Sequence, residues 1–466
     1  MTAPHVAVVG GGVSGLAGAY RLRRLLPPGA RITVLEGSSR IGGALRTIEL
    51  AGVPFDVGAE AFLVVRPEAT ALVTELGLGT ELVHPTPARP TVRAGGRTVP
   101  LPSRTVLGLP GSPDDVAGVL SPEGLARVAA EPGTPLHWEP GSDAAVGALL
   151  RSRAGDELVD RLVDPLLGGV YAGRADALGL RATLPAVATA LDHGAPSLLA
   201  AADAVLPAPG APPRPVFGTL RGGLGRLVDA LVQASGAIVR RSLLVRALAR
   251  REHGWRLELG SAASPEVLDV DAVVLAVPAP ALRRLLADPM PGAAVAAAQV
   301  EVASSVVVGL ALPAAAADRL PAASGVLVAS GEPHAVKAFT FSSRKWDHLR
   351  GPGVLLVRGS LGRHGEVAVL QRDDAELVAA VRADLAALTG IDAEPVDTLV
   401  ARWGGGLPQY APGHLDVIAA IEAAVDAQPG LAVAGATLHG VGIPACIATA
   451  DAAAARIAAH LAARVG

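Results

Sequence analysis

Cysteine, lysine and aromatic side chains are scarce in this sequence, and each shortage excludes something. A single cysteine, Cys446, excludes a disulfide within the chain and fits a reducing compartment. Only two of the 40 basic residues are lysines, Lys337 and Lys345, and the net charge is −3, so nothing indicates nucleic-acid binding. Aromatic residues make up 3% of the chain, which leaves little material for a site built from stacked rings. No Cys/His cluster has the spacing of metal ligands, and we predict no metal site.

Long apolar runs are also absent. Half of the residues are hydrophobic, but many of these are alanine, and no uncharged apolar run has the length of about 18 residues that a membrane span needs. The first strand is predicted so close to the N-terminus that no signal peptide is expected. The length of 466 residues suits two or three domains. We therefore expect a cytoplasmic globular protein and leave a peripheral membrane contact open.

A glycine-rich loop near the N-terminus has the surroundings of a dinucleotide-binding site. The apolar run Val6–Val9 predicts a buried strand, Leu16–Leu26 has helical spacing, and Gly10-x-Gly12-x-x-Gly15 lies between them. In such a loop the glycines permit a tight turn, close approach of a pyrophosphate, and close packing of helix on strand. The helix N-terminus would hold the phosphates.

An acidic residue follows at the expected distance. The second predicted strand, Arg31–Leu35, ends at Glu36, where a carboxylate can accept hydrogen bonds from both ribose hydroxyls of an adenosine. A carboxylate there disfavours a 2′-phosphate, so NADP is the least suitable dinucleotide. This pattern leaves NAD and FAD as alternatives.

A second glycine pair separates NAD from FAD. The sequence Arg40-x-Gly42-Gly43 follows the acid, and Arg46 comes shortly after it. This arrangement resembles an extension found in flavoproteins, in which the chain crosses back over the pyrophosphate. Paired glycines expose backbone amides, and Arg40 and Arg46 can form charge-assisted bonds to phosphate. The pattern favours FAD.

Strand and helix patterns alternate through the rest of the chain. Helices are predicted near Ala144–Leu150 and Glu157–Leu167, an irregular connection over Ala200–Pro215, and a final strand and helix over Leu431–Ala434 and Thr449–Leu461. We predict an α/β plus α+β fold: a Rossmann-like discontinuous FAD-binding domain, a mixed-sheet substrate domain and a helical insertion. The predicted ranges are 1–78, 216–282 and 401–466 for the FAD-binding domain, 79–109 and 283–400 for the substrate domain, and 110–215 for the insertion.

Several strings, in one order along nearly the whole chain, resemble a known family. The chain is similar to the protoporphyrinogen and coproporphyrinogen III oxidases of haem biosynthesis, within the FAD-dependent amine-oxidase superfamily. The glycine loop is shared widely in that superfamily, whereas the later strings are more specific to the porphyrinogen oxidases. The strings are GGGVSGLAGAY at Gly10, VGAEAFLVVRPEA at Val57, DPLLGGVYAGRADALGLRATLP at Asp164, LRGGLGRLVDAL at Leu220, ARWGGGLPQYAPGH at Ala401 and GVGIPACI at Gly440.

The resemblance implies a set of FAD contacts. It places one group at the pyrophosphate and ribose, a second beside the isoalloxazine, and single contacts at the adenine and the flavin flank. Together with the residues of the second glycine pair, the predicted cofactor-binding residues are Gly10, Gly11, Gly12, Val13, Ser14, Gly15, Glu36, Gly37, Arg40, Gly42, Gly43, Ala44, Gly58, Ala59, Glu60, Ala61, Val245, Trp403, Val441, Gly442 and Ile443.

The resemblance also implies a reaction. A porphyrinogen would lose six electrons to become a porphyrin, with a methylene-bridge hydride passing to flavin N5, a pyrrole N–H proton lost, and molecular oxygen reoxidising the flavin to give hydrogen peroxide. Positioning against the flavin would carry most of the catalysis, and no catalytic acid or base is assigned. A haem-biosynthetic role in a bacterium implies hand-over of the product to a ferrochelatase.

Substrate carboxylates require cations. The resemblance suggests Arg89, and Arg97 as a second candidate, beside a propionate. Coproporphyrinogen III, with four carboxylates, is the preferred substrate, and protoporphyrinogen IX, with two, remains an alternative. The oligomeric state is left open.

Other functions remain open. A flavin amine oxidase shares the N-terminal motifs but needs an aromatic cage, for which this chain has few rings. A carotenoid desaturase lacks support because no membrane-entry helix is apparent. A non-catalytic FAD-binding partner is a third alternative.

Overall fold

A parallel five-stranded sheet forms one layer of the protein, whose computed structural model describes residues 3–208, 214–350 and 353–464. Every neighbouring pair of strands in it is parallel. Helix Val13–Leu25 and helix Ile443–Ala463 pack together on one side, and helix Ala279–Leu286 packs on the other. From edge to edge the strands are Ile238–Arg240, Arg31–Leu35, His5–Val9, Ala272–Leu275 and Leu431–Val433.

A seven-stranded mixed sheet forms a second layer. All its neighbouring strands are antiparallel except Gly325–Val328 and Thr91–Ala94, which are parallel. Helix Asp374–Thr389 packs on its outer side, where valines, leucines and phenylalanines form a buried cluster. From edge to edge the strands are Asp397–Pro408, Val302–Pro313, Val354–Leu361, Val336–Thr340, Gly325–Val328, Thr91–Ala94 and Arg97–Pro100.

Smaller sheets accompany the two large ones. They are a hairpin of Thr47–Leu50 with Val53–Asp56, a second hairpin of Thr105–Val106 with Leu109–Pro110, a meander, and a three-stranded sheet near the N-terminal helix. The meander contains Val245–Arg251, Gly254–Ser261 and Ser264–Val270, and the three-stranded sheet contains Phe62–Leu63, Phe217–Leu220 and Leu82–Val83.

Most of the remaining helices form a separate cluster. In the sequence they lie between strand Leu109–Pro110 and strand Phe217–Leu220. Their buried leucines and valines form one apolar core with Val92 and Tyr410. The helices other than those named above are Pro67–Glu75, Pro122–Ala130, Val146–Ala154, Asp156–Leu158, the π-helical turn Val159–Val163, Asp164–Tyr171, Leu180–Thr183, Pro185–Asp192, Leu198–Asp203, Gly225–Ser235, Pro291–Ala297, Ser342–Lys345 and His414–Asp426. No helix within the described ranges is both long enough and apolar enough to cross a bilayer.

The α/β plus α+β fold class is confirmed. The division into domains at the predicted boundaries stays a prediction.

Two predicted elements differ from the structure. Ala200–Pro215 was predicted to be irregular, but its first residues belong to helix Leu198–Asp203; residues 209–213 lie outside the described ranges. The Ser197 hydroxyl caps this helix by accepting from the amide of Ala200 at 3.0 Å. The buried Glu131 carboxylate accepts two more of its first amides. The local composition could not indicate this helix, because one of its capping groups, Glu131, is far away in the sequence.

The C-terminal helix begins earlier than predicted. It starts at Ile443, not at Thr449, because Gly442 takes the extended N-cap conformation and Pro444 is favourable in a first helical turn. The specific GVGIP string therefore ends at a helix N-terminus. The resemblance places this string beside the flavin. The first unpaired amides of the 21-residue helix therefore belong to a segment expected to contact the flavin.

Candidate active site

The first glycine loop is built so tightly that two of its positions accept no side chain. Gly10 has φ of +108°, and a Cβ there would lie 2.1 Å from the Ala276 carbonyl oxygen. A Cβ on Gly15 would lie 1.9 Å from the carbonyl oxygen of Gly10. Strand, loop and helix can meet at this distance only with glycine at both positions.

The helix N-terminus beyond the loop is open. Gly12 is the N-cap of helix Val13–Leu25, no side chain caps it, and no acidic residue lies in the first turn. A Cβ on Gly12 would have Gly43 Cα, at 3.8 Å, as its nearest neighbour, so the outer side of the loop has room. Free amides and the positive end of the helix dipole together suit a phosphate group.

Backbone amides fix the carboxylate of Glu36 at the end of the second strand. Its two oxygens accept from the amides of Gly11 at 2.8 Å and Ser38 at 2.7 Å. The amide of Leu243 donates to the carbonyl of Glu36 at 2.9 Å, which brings the segment leading to buried Val245 alongside. The predicted ribose and adenine contacts thus lie in one place, and their roles stay predictions.

The second glycine pair packs directly on the first loop. The amide of Gly42 donates to the carbonyl of Gly11 at 2.7 Å, and a Cβ on Gly43 would stand 3.0 Å from Gly12 Cα. A cradle that a Cβ would fill therefore surrounds the open helix N-terminus. This double glycine cradle, with Glu36 at its side, fits FAD.

An arginine and a tryptophan connect this cradle to the mixed sheet. Arg40 donates to the carbonyl of Gly43 at 2.8 Å, and its guanidinium carbon lies 5.2 Å from the centre of a Trp403 ring. The indole of Trp403 donates to the carbonyl of Val57 at 2.9 Å. A Cβ on Gly58 would lie 1.9 Å from the carbonyl oxygen of Ala44 and 3.0 Å from the indole ring. Sequence predicted these residues separately, whereas the structure shows them in one contact chain.

Two cations hold the partly exposed segment Gly58–Ala61. One comes from the mixed sheet, and the other comes from helix Ser342–Lys345, which connects two strands of that sheet. Arg358 donates to the carbonyl of Gly58 at 2.7 Å and lies 3.5 Å from the Glu60 carboxylate, which also pairs with Lys345. Burial raises the pKa of the Glu60 carboxyl, but Lys345 and Arg358 outweigh it, so that pKa lies below its ordinary value. Sequence reasoning missed both partners, which are almost 300 positions away.

Two of the specific family strings pack behind the Gly440 string. The Tyr410 hydroxyl donates to the carbonyl of Ala436, and the His414 ring, stacked on Tyr410 at 4.0 Å, shares a hydrogen bond of 2.9 Å with the carbonyl of Leu438. Burial lowers the pKa of His414. The Gln409 amide donates to the carbonyl of Tyr171 at 2.8 Å. These side chains support the segment that includes Val441, Gly442 and Ile443.

One side of the mixed sheet carries a group of partly exposed side chains. We define the inward face by the side chains on the side of the sheet opposite helix Asp374–Thr389. On this side Val307, Ala311 and Leu356 are buried against the hairpin of Thr47–Leu50 with Val53–Asp56, so the name inward face is kept for the side chains that are partly exposed. The inward face carries Ser305, Leu327, Ala338, Thr340, Arg358 and Ser360.

The two candidate carboxylate-binding arginines lie apart. Both are exposed, Arg89 just before strand Thr91–Ala94 and Arg97 at the start of the next strand. Arg97 pairs with Ala94 at the far end of the hairpin, whereas the carbonyl of Arg89 accepts from Ser324. The Arg89 guanidinium has no salt-bridge partner among the described residues. The two arginines therefore start from opposite ends of the hairpin.

The fold and the cradle together define a flavoprotein oxidoreductase, with a dinucleotide-binding parallel sheet and a separate mixed sheet. The model of the flavin containing amine oxidoreductase family matches residues 13–458. The chain belongs to this family, and its cofactor is FAD.

Relatives and solved structures agree with that membership. The chain is 47% identical to the coproporphyrinogen III oxidase of Mycobacterium tuberculosis, over 97% of this chain and 96% of that protein. A crystal structure from Exiguobacterium sp. 255-15, provisionally named a protoporphyrinogen oxidase, matches with a TM-score of 0.85 and 29% identity over 98% of this chain and 99% of the other. Cyclohexylamine oxidase from Brevibacterium oxydans has the same fold, with a TM-score of 0.72 and 18% identity over 99% of this chain and 100% of the other.

Proposed function

We propose that this protein is a cytoplasmic, oxygen-using porphyrinogen oxidase of haem biosynthesis. It would dehydrogenate coproporphyrinogen III to coproporphyrin III in six electrons, with release of hydrogen peroxide. The observation that carries the proposal is the partly exposed inward face beside Gly58–Ala61, whose side chains are mostly small, with Arg358 on it and Lys345 next to it. Sequence similarity to a coproporphyrinogen III oxidase along 97% of the chain supports it.

The shape of the inward face suits a large, flat substrate. Its central side chains Ala338, Thr340 and Ser360 are small, so a macrocycle can approach the strands closely. Bound FAD supplies the hydride acceptor. The protein's own part is to hold the substrate flat against this face and to exclude water, which lets orientation carry the rate.

The cations around the face would select an anionic substrate. Lys345 and Arg358 are committed to Glu60 and to backbone carbonyls, whereas Arg89 has no such carboxylate partner among the described residues. The segment before Arg89 lies beside the same cluster, since the amide of Thr86 donates to the carbonyl of Lys345 at 2.8 Å. An arginine at this rim can meet a propionate in a charge-assisted pair.

The amine-oxidase alternative has weaker support. Its fold is shared, but an identity of 18% to cyclohexylamine oxidase shows the fold alone. The inward face carries alanine, serine and threonine where an aromatic cage would need rings.

Porphyrin fluorescence in air tests the proposal. Purified protein is mixed with coproporphyrinogen III or with protoporphyrinogen IX, and a no-enzyme sample corrects for spontaneous oxidation. We expect faster fluorescence growth with the tetracarboxylate and three molecules of peroxide per porphyrin. A preference for the dicarboxylate would correct the substrate, and no acceleration with either would refute the proposal.

A further inference from the structure

A lysine lies buried in an interior strand of the mixed sheet. Lys337 is 8% exposed in strand Val336–Thr340, which has strands on both sides. Lysine is almost never buried to this degree without a charged partner. The site described above does not account for it.

A β-bulge interrupts the strand at this residue, and a charged neighbour of the amine lies on the inward face. Val336 pairs with Leu361 and Ala338 pairs with Ser360, so Lys337 is the extra residue of the strand. The residue that follows, Ala338, and the charged neighbour Arg358 both belong to the inward face. The charges acting on the Lys337 amine are Arg358, Arg363 and Glu366, none of which belongs to the outer helix.

The amine has little to compensate its charge. It donates one hydrogen bond, to the carbonyl of Gly362 at 2.8 Å, and no described carboxylate lies within salt-bridge distance. Its stronger charged neighbours are two arginines, while Glu366 is engaged by Arg174 at 2.8 Å. Burial first, and then Arg363 and Arg358, lower the pKa of Lys337 to about 7. Two donors of an ammonium group remain for an anion.

The position of Lys337 complements that of Arg89. The amide of Ser324 donates to the carbonyl of Arg89, and the next residue, Gly325, pairs with Thr340. Lys337 lies three residues before Thr340 in the same strand. The backbone positions of Arg89 and Lys337 are therefore about 10 Å apart along the strand direction. In coproporphyrinogen III the carboxylates surround the ring, whereas in protoporphyrinogen IX the side opposite the two propionates carries vinyl groups.

We propose that Lys337 binds a second, opposite carboxylate of the substrate and so makes the site selective for a tetracarboxylate porphyrinogen. The proposal rests on the porphyrinogen oxidase function. Lys337 is then a specificity residue, and it takes no part in electron transfer. Proton uptake by the amine accompanies carboxylate binding, because a partner anion stabilises the ammonium form.

Lys337→Met tests the proposal, since it keeps the length of the side chain and removes the charge. We expect the KM for coproporphyrinogen III to rise about tenfold, as for loss of a charged hydrogen bond, with kcat nearly unchanged. The KM for protoporphyrinogen IX should change little. Arg382→Met, which removes a partly exposed arginine on the outer helix, is the matched control. Equal losses with both substrates would show a structural role and overturn the proposal.

Binding of the product provides a readout independent of turnover. Coproporphyrin III should bind the wild-type holoenzyme more weakly as pH rises from about 6 to 8, because the lysine loses its proton in that range. Lys337→Met should remove this dependence, and Lys337→Arg should retain affinity without it. His364, which pairs with Glu301, is a nearby imidazole, and its loss in His364→Gln should leave the dependence in place. The other charged groups around the amine are Arg358, Arg363, Glu366, Arg174 and Asp164.

The outcomes separate this proposal from the function on which it rests. Wild-type protein that oxidises neither porphyrinogen refutes the function. Wild-type protein that oxidises coproporphyrinogen III, together with unchanged selectivity in Lys337→Met, refutes only the role of Lys337. If Lys337→Met fails to retain FAD, Lys337→Arg decides, because a pH dependence that persists in that variant contradicts the proposal.

Discussion

The cofactor cradle and the inward face of the mixed sheet are assembled in different ways. Most of the cradle comes from residues 10–43, where two glycine loops and one acid contact each other through backbone atoms. The charged side chains on and around the inward face, Lys337, Lys345 and Arg358, come from separate elements and pair with residues far away in the sequence. The cradle is built from backbone atoms, so short local sequence patterns specify it. The inward face is built from side chains, so its arrangement depends on strand register and on a bulge.

Substitutions in the cradle should have the largest effect. In Gly15→Ala the new methyl would meet the Gly10 carbonyl oxygen at 1.9 Å, so the loop must open and FAD should be lost. Gly18→Ala, one turn along the same helix, is the matched control, since its nearest atom would be 3.9 Å away. Visible flavin absorbance of the purified variants measures the difference. Retention of FAD by Gly15→Ala would contradict the steric account.

The ion pairs of Glu60 should have the next largest effect. Glu60→Gln leaves Lys345 and Arg358 without their carboxylate, and we expect a loss of about 1–3 kcal/mol in the free energy of unfolding. The double variant Glu60→Gln/Lys345→Met should recover part of this loss, because it no longer strands the lysine charge. Urea unfolding of the holoenzyme measures the wild type, the single variants Glu60→Gln and Lys345→Met, and the double variant. If the effects of the two single variants on the free energy of unfolding simply add, the ion pair of Glu60 and Lys345 contributes no coupling energy.

The two arginines of the hairpin should differ by several-fold. Arg89→Ala should raise the KM for coproporphyrinogen III about three- to tenfold, since an exposed charge-assisted pair contributes on the order of 1 kcal/mol. Arg97→Ala, which changes an equally exposed arginine at the other end of the hairpin, should leave the KM unchanged. Steady-state porphyrin formation measures both. An unchanged KM in Arg89→Ala would remove this residue from the substrate site.

The smallest expected effect is a pH slope in stability. Burial raises the pKa of Asp56 to about 6, against hydrogen bonds from Thr47 and Leu224. A carboxyl whose pKa is raised on folding binds more protons in the folded than in the unfolded state, so the free energy of unfolding falls as pH rises from about 4 to 6. Asp56→Asn should flatten that slope in thermal unfolding curves. An unchanged slope would assign it to other groups.

The sequence predicted the cradle better than the face for a physical reason. Gly10, Gly15 and Glu36 act through steric limits and backbone hydrogen bonds that a short pattern encodes, and the structure brings these residues together. The start of the last helix at Ile443 depended on an N-cap glycine beside a proline, a signal that was present but not used.

The partners on the inward face had no local signal. Arg358 contacts Gly58, and Lys345 contacts Glu60, across almost 300 positions. Lys337 is the extra residue of a β-bulge in its strand, which only the strand pairing reveals. The scarcity of lysine was visible in the sequence and could have drawn attention to both residues.

Anaerobic mixing of the purified flavoprotein with coproporphyrinogen III tests most directly whether the cradle and the inward face form one porphyrinogen oxidase site. Our account predicts that the absorbance of oxidised flavin disappears, and that admitting air restores it as porphyrin fluorescence grows. Flavin that stays oxidised with both porphyrinogens but is reduced by a primary amine would contradict the account and favour an amine oxidase.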